Sequence, residues 1–401
     1  MADFTTTLIH HPYQPPAGFV APQPGVFKAS TVYFPNVCAM REFDWKDKSA
    51  YTYGLHGTPT TYTLEARLCT LEGGQQCLLV PSGLAAIATV SLALLHAGDE
   101  VLLPDNAYGP SKALAEGELT HWGITHQYFD PMDPADLAAK ISPRTKLVWL
   151  EAAGSVTLEF PDLVAQVRLC KAAGVCCALD NTWGAGLAFK PFDLTPEVSP
   201  ALAVDISVHA LTKYPSGGGD VLMGSIITQH EPLHMKLKLC HMRLGLGVAA
   251  NDAELVLRSL PSMALRYHAH DVTTRELALW CEQRAEFAQV LHPALPHSPG
   301  HAHWHALCGH ANGGAAGLLS VVFKPEFSQA QVDAFCNHLT LFKIGYSWGG
   351  PVSLVMPYEL ASMRQSWPTH LQQGILVRFS VGLEAAADLQ ADVSNALNAL
   401  I

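Results

Sequence analysis

Between residues 77 and 227, short apolar runs recur at 77–80, 101–103, 147–150, 175–179, 204–208 and 221–227, with helix-like stretches between them. This alternation constrains the fold more than any other feature of the chain. Strands joined through helices pair in parallel, and the connecting helices then cover both faces of the sheet. Runs without polar alternation suit strands buried on both sides. A helix over 163–173 is marked at both ends, by Asp162 as its N-cap and Gly174 as its stop. Another helix-like stretch, 64–71, stops at Gly73-Gly74, and Pro81-Ser82-Gly83 opens the next helix after the first strand. We therefore expect an α/β protein with a largely parallel sheet.

The chain has 401 residues, enough for two domains and an extra segment. Residues 1–58, with prolines in 12–16 and 22–24 and little periodic pattern, read as an arm. Residues 59–250 carry the alternating pattern and form the large domain; 251–401 form a smaller C-terminal one. The latter opens on a helical tract, 252–286, passes through a Pro/His-rich loop, 293–310, and closes on a helix over 385–400.

Charged residues make up only 15% and hydrophobic ones 49%, so the chain either spans a membrane or hides surface. The best apolar window, 84–95, contains Thr89 and Ser91 and is far short of the roughly 20 residues a span needs. With 24 Lys+Arg against 35 Asp+Glu, a net charge of −11 and no basic run, neither nucleic acid nor an anionic membrane is an expected partner. The sequence Met1-Ala2-Asp3-Phe4-Thr5-Thr6-Thr7 lacks a basic, then apolar, leader, and we expect a cytoplasmic protein. Ten cysteines with no CxxC spacing read as reduced, mostly buried thiols. His301, His303, His305 and His310 could suggest zinc, yet no cysteine or carboxylate completes a regular ligand spacing. A surface loop without metal is the better reading.

Ligands of such sheets lie beyond the carboxyl ends of the strands, and few polar residues fall there. Ser82-Gly83-Leu84 is either a capped turn or a phosphate site at a helix start. Asp180 either caps the turn Asn181-Thr182-Trp183 or supplies a charge to a ligand. Lys213, near Gly217-Gly218-Gly219, is either a solvated lysine or an enclosed nucleophilic amine. Together the three match what pyridoxal phosphate needs: a phosphate site, a partner for the pyridine nitrogen, and an amine for its aldehyde.

The sequence also resembles the cysteine/methionine-metabolism, or transsulfuration, family of pyridoxal-phosphate enzymes from about Tyr51 to the C-terminus. The resemblance is carried by Tyr53-Gly54-Leu55-His56-Gly57, Leu71-Glu72-Gly73-Gly74, Pro81-Ser82-Gly83, Asn106-Ala107-Tyr108, Glu151-Ala152-Ala153-Gly154-Ser155, Asp180-Asn181-Thr182-Trp183 and Thr212-Lys213-Tyr214. It continues through Tyr346-Ser347-Trp348-Gly349-Gly350 and 377–384. The Tyr-Ser-Trp-Gly-Gly segment is similar to that of the cystathionine β-lyase branch.

This resemblance implies the aspartate-aminotransferase-like (type I) fold, a tetramer built from dimers, and cleavage of L-cystathionine to homocysteine, pyruvate and ammonia. Lys213 would carry the cofactor and act as base; Asp180 would pair with the pyridine nitrogen and Tyr108 would stack on the ring. Gly83 and Leu84 amides, with the Ser82 and Thr212 hydroxyls, would hold the phosphate. Tyr53 would reach a neighbouring subunit's site. Arg378 would clamp the substrate carboxylate beside Ser347 and Trp348.

Departures matter too. Leu55 stands where the family usually has a phosphate-binding arginine, and Ala210 where it often has a serine. Cofactor retention should weaken unless His56 or Ser216 compensates. Pro351-Val352 and the 215–219 loop also differ from the usual pattern, which leaves open another sulfur amino acid as substrate, acted on by a cysteine desulfhydrase, γ-lyase or γ-synthase; the missing arginine at Leu55 leaves open a regulatory protein without catalysis.

Overall fold

Every apolar run overlaps or adjoins a strand of one seven-stranded sheet in the computed structural model, which describes residues 4–11, 17–19, 21–46, 48, 50–309 and 313–400. The strands are β1 (Gln76–Val80), β2 (Glu100–Pro104), β3 (Thr125–Phe129), β4 (Thr145–Glu151), β5 (Cys176–Asp180), β6 (Ile206–Ala210) and β7 (Gly224–Thr228). Their order is β1-β7-β6-β5-β4-β2-β3. Only β7 is antiparallel to its neighbours, so β1 runs in the same direction as the other five. The carboxyl ends of β1, β4, β5 and β6 therefore open on one edge. β3 escaped the sequence pattern because it is an edge strand, its first three residues Thr125-His126-Gln127 polar and largely open to solvent.

Both sheet faces are covered, as the apolar runs require. Leu79, Val148, Leu150 and Leu179 face a core shared with the helices Pro59–Glu72 and Leu163–Ala173. Leu78, Val101, Trp149 and Ile206 face another, against the helices Gly83–Leu94 and Glu231–Leu244. Asp162 caps its helix through a bond from Ala165 N, and Gly174 ends it in the left-handed conformation, as expected.

A second, five-stranded sheet follows, ordered β10-β11-β12-β9-β8, from β8 (Phe287–Leu291), β9 (Leu318–Phe323), β10 (Lys343–Ile344), β11 (Leu354–Tyr358) and β12 (Leu376–Ser380). The tract expected as one helix over 252–286 is Ala250–Ser259 and Met263–Cys281, separated by a 3-10 turn at Leu260–Ser262. Pro261 lacks the N–H needed to continue the first helix. The loop expected at 293–310 contains a helix, His301–Cys308, whose Trp304 is buried and donates its Nε1–H to Gly314 O; His310 lies outside the described residues.

The arm is more structured than its sequence suggests. It holds short helices at Phe4–Ile9 and Val37–Glu42, although the 12–16 proline run is outside the described residues. Leu8 is buried in the large core, and Thr60 Oγ1 ties the arm down by accepting Phe27 N and donating to Gly25 O. No described helix is long and apolar enough to cross a membrane.

After β11 the chain leaves the small sheet and crosses to the large one. There Glu159, fully buried, accepts bonds from Asn106 Nδ2 at 2.7 Å, Thr157 Oγ1 at 2.8 Å and Arg364 Nη2 at 2.5 Å, and meets His370 Nε2 at 2.6 Å. Burial alone would raise this carboxyl, but the His370 hydrogen bond and the Arg364 charge outweigh it and hold it at about 2. A carboxyl held below its unfolded value of 4.5 stabilises the fold fully above that pH, and the contribution fades as pH falls towards 2. Glu159→Gln should thus cost roughly 3 kcal/mol at pH 7, with the gap to the native protein closing between pH 5 and 2 in urea denaturation.

Candidate active site

Four ionisable groups converge at the open edge. Glu151 and Asp180 end the neighbouring parallel strands β4 and β5 and are paired in register. Lys213 follows β6, in its connection to β7. Arg378, 8% exposed, projects from β12, a central strand of the small sheet.

Lys213 Nζ donates to Ser347 Oγ at 2.7 Å and lies 5.3 Å from the Trp348 ring centre. Burial, reinforced by the Arg378 charge and opposed by Asp180, depresses its amine to about 8. Such an amine is neutral in a useful fraction near physiological pH. Ser347 reaches it from a backbone φ of 87°, a conformation that costs a serine about 1–3 kcal/mol and recurs where a site dictates geometry. The segment packs this closely because Gly349 has no side chain: a Cβ there would lie 3.2 Å from Lys213 C and 3.1 Å from Tyr214 N.

Asp180 Oδ1 accepts the Thr182 hydroxyl at 2.6 Å and the Thr182 amide at 3.0 Å. Burial raises its carboxyl, while those two bonds and the His209 and Lys213 charges oppose the rise. Next to it, Glu151 accepts Tyr108 N at 2.8 Å and Ser155 Oγ at 2.7 Å. Burial and then the Asp180 charge push Glu151 up to about 8. At neutral pH Glu151 is therefore largely protonated. Tyr108 starts a short helix at the rim, its hydroxyl raised by burial and by the two carboxylates.

At the other end of the pocket, Ser82 caps the helix Gly83–Leu94 by accepting Ala85 N at 3.0 Å. The first i→i−4 bond of this helix is Ala86 N to Ser82 O, which leaves the Gly83 and Leu84 amides outside the ladder at the positive helix end. Gly83 must be glycine, because a Cβ there would sit 2.6 Å from the Ala210 Cβ. That contact places Ala210 at the same spot. Thr212 Oγ1 lies near the Met223 amide at 3.3 Å.

The arrangement fits pyridoxal phosphate by its own chemistry. First-turn amides could take a phosphate, a charged carboxylate could face a ring nitrogen, and a weakly basic amine lies between them. Arg378 Nε is buried without a protein partner, as a carboxylate clamp awaiting its ligand would be. Six expected residues thus gather at the open edge of the large sheet: Lys213, Asp180, Tyr108, Arg378, Ser347 and Trp348. Ser82, Gly83 and Leu84 lie just beyond β1, and Thr212 just beyond β6.

Tyr53 does not join them within the chain. It is 46% exposed, forms an isolated bridge with Thr31 and packs its ring 6.1 Å from His56. Leu55 lines a separate hollow with Trp45, Lys238 and Gly247. Of the two expected substitute donors, His56 bonds Thr52 Oγ1 through Nδ1 at 2.9 Å beside the Trp45 ring, and Ser216 Oγ donates to Thr212 O.

Glu151 and Thr182 received no role from sequence. Glu151 obeys the same strand-end rule that exposed Asp180. Among the described residues no cluster of three His, Cys, Asp or Glu side chains is placed to hold a metal ion.

The family described as "Cys/Met metabolism PLP-dependent enzyme" matches residues 5–398. The chain belongs to that family. It is 39% identical to a putative cystathionine β-lyase of Rhizobium johnstonii over 94% of this chain and 90% of that one. It is 38% identical to the cystathionine β-lyase of Bordetella avium, over 98% and 97%. The crystal structure of metB from Corynebacterium glutamicum superposes with a TM-score of 0.87 at 27% identity, covering 100% of this chain and 99% of that chain. The fold is type I, and the chain is a pyridoxal-phosphate enzyme.

In this family member the depressed basicity of Lys213 is measurable. Apoenzyme should take up pyridoxal phosphate faster as pH rises through about 8, followed by the growth of its visible absorption band. Lys213→Ala should never develop that band.

Proposed function

We propose that the chain is a carbon–sulfur β-lyase cleaving L-cystathionine to homocysteine, pyruvate and ammonia. The observation that carries this reading is Lys213 held between Ser347 and Trp348 of the Tyr-Ser-Trp-Gly-Gly segment, with Arg378 Nη2 bonded to Ser347 O at 3.3 Å. The nucleophile and the carboxylate clamp share one short segment. Relatives named as cystathionine β-lyases over nearly the whole length support the same substrate.

Pyridoxal phosphate, when bound, supplies an aldehyde for amines and a ring that draws electrons from the substrate's Cα. Lys213 would hold it, and its freed Nζ would take the Cα proton and could return one to the leaving sulfur. Ser347 Oγ keeps Nζ aimed during both tasks. Asp180, fixed by Thr182, would pair with the ring nitrogen and keep it protonated, and Tyr108 would stack on the ring. Gly83 and Leu84 amides with the Ser82 and Thr212 hydroxyls would hold the phosphate. Arg378 would take the α-carboxylate with its unpartnered Nε and a neighbouring Nη, a planar fork suited to that group.

We also assign the chain to a cytoplasmic homotetramer in which Tyr53 completes a neighbour's site. All ten cysteines are unpaired, in keeping with a reducing compartment, and exposed Leu222 and Leu265 favour covered subunit faces.

A keto-acid assay with cystathionine tests the substrate and the bond broken. Pyruvate is the expected product, at a rate at least 1,000-fold above Lys213→Ala, in line with the loss of covalent and base catalysis together. A yield of 2-oxobutyrate would mean γ-elimination and refute the proposal.

A further inference from the structure

Arg378 is paired with Met356 across β11 and β12, which puts Tyr358, two residues beyond Met356, diagonally across the same face. The Tyr358 ring centre lies 5.4 Å from the guanidinium carbon. One Nη donates to Ser347 O, while Nε faces no protein acceptor. The guanidinium is thus held at one corner by a carbonyl and flanked by an aromatic ring, with donors left for a ligand. An arginine on a flexible stem has no fixed plane of its own, and a bidentate clamp works only if that plane is set beforehand.

Tyr358 is itself immobilised. The chain just beyond it is tied to the large sheet by Lys112 Nζ, which donates to Met363 O at 2.7 Å and to Asp105 at 3.0 Å, and by Arg364 on Glu159. The backbone carrying the ring is therefore anchored on both sides, by β11 and by this crossing segment, and the ring packs against the Leu360 and Leu371 cluster.

We propose that Tyr358 is a positioning residue for the substrate α-carboxylate: its ring backs the Arg378 guanidinium and fixes the plane in which the carboxylate is received. This rests on Arg378 being the carboxylate clamp. The ring, not the hydroxyl, does the work, so the effect applies to any α-amino acid and falls on KM, leaving kcat within about twofold. Burial raises the Tyr358 hydroxyl, which is consistent with a neutral ring beside the cation.

The test uses holoenzyme and two small ligands that lack a β-leaving group, glycine and methylamine, titrated against the cofactor absorption band. Only glycine carries a carboxylate. In Tyr358→Leu and Tyr358→Ala, glycine should bind about tenfold more weakly and the KM for cystathionine should rise equally, with methylamine unchanged. Tyr358→Phe should restore native values. Unchanged glycine affinity in both truncated variants, equal losses for methylamine, or failure of Phe to restore binding would each overturn the proposal. Arg378→Met separates the two levels: if it leaves glycine binding intact, the clamp assignment itself fails. If it weakens glycine while the truncations at 358 do not, only the role of Tyr358 falls.

Discussion

Two carboxyl groups and two cations meet at the open edge of the large sheet, and the rest of the structure is arranged to keep them together. Removing any of the four from water costs several kcal/mol unless a partner compensates. The large sheet meets this demand from one edge, with Glu151 and Asp180 in register on β4 and β5 and Lys213 just past β6. The small sheet supplies Arg378 from the middle of β12. Burial then shifts the groups: it raises both Asp180 and Glu151, the latter to about 8, and together with the Arg378 charge it lowers the basicity of Lys213. A lysine with ordinary basicity would be almost wholly charged at neutral pH and unable to attack an aldehyde.

The apolar runs made the large sheet legible because both of its faces are buried, so no polar alternation blurs the strands. The edge strand β3 lacked that signature, and its Thr125-His126-Gln127 start hid it. Helix ends were readable where a side chain closes them, as at Asp162 and Gly174. Helix continuity was less so, because Pro261 interrupts a tract whose composition is otherwise helical. In the site, Asp180 and Lys213 were visible from position relative to strands. Tyr358 was not, since its place beside Arg378 depends on the register between β11 and β12, which no local pattern encodes.

The phosphate end is the least conventional part. Ala210 lies directly against Gly83, where a serine would have added a hydroxyl, and Leu55 lines a hollow shared with Trp45, Lys238, His241 and Gly247. His56 and Ser216 bond within the chain. In the proposed function the anion's share shifts to the Gly83 and Leu84 amides and the Ser82 and Thr212 hydroxyls, because neither Leu55 nor Ala210 has a side-chain donor. Amides at a helix start are fixed dipoles with no side-chain entropy to lose, which makes such a shift physically tolerable.

The Glu159 cluster bears on how this fold can be recombined. Its donors come from a loop after β2, the segment after β4 and the segment beyond β11, so the carboxylate is satisfied only when pieces of both sheets are present together. A chimera that took its small sheet from a relative would inherit Arg364 and His370 positions from one parent and Asn106 and Glu159 from the other. Unless all four were carried over as a block, a buried charge would be stranded at the joint. The natural crossover points for shuffling this enzyme therefore lie away from the sheet-to-sheet seam, even though the seam is where sequence alone would invite the cut.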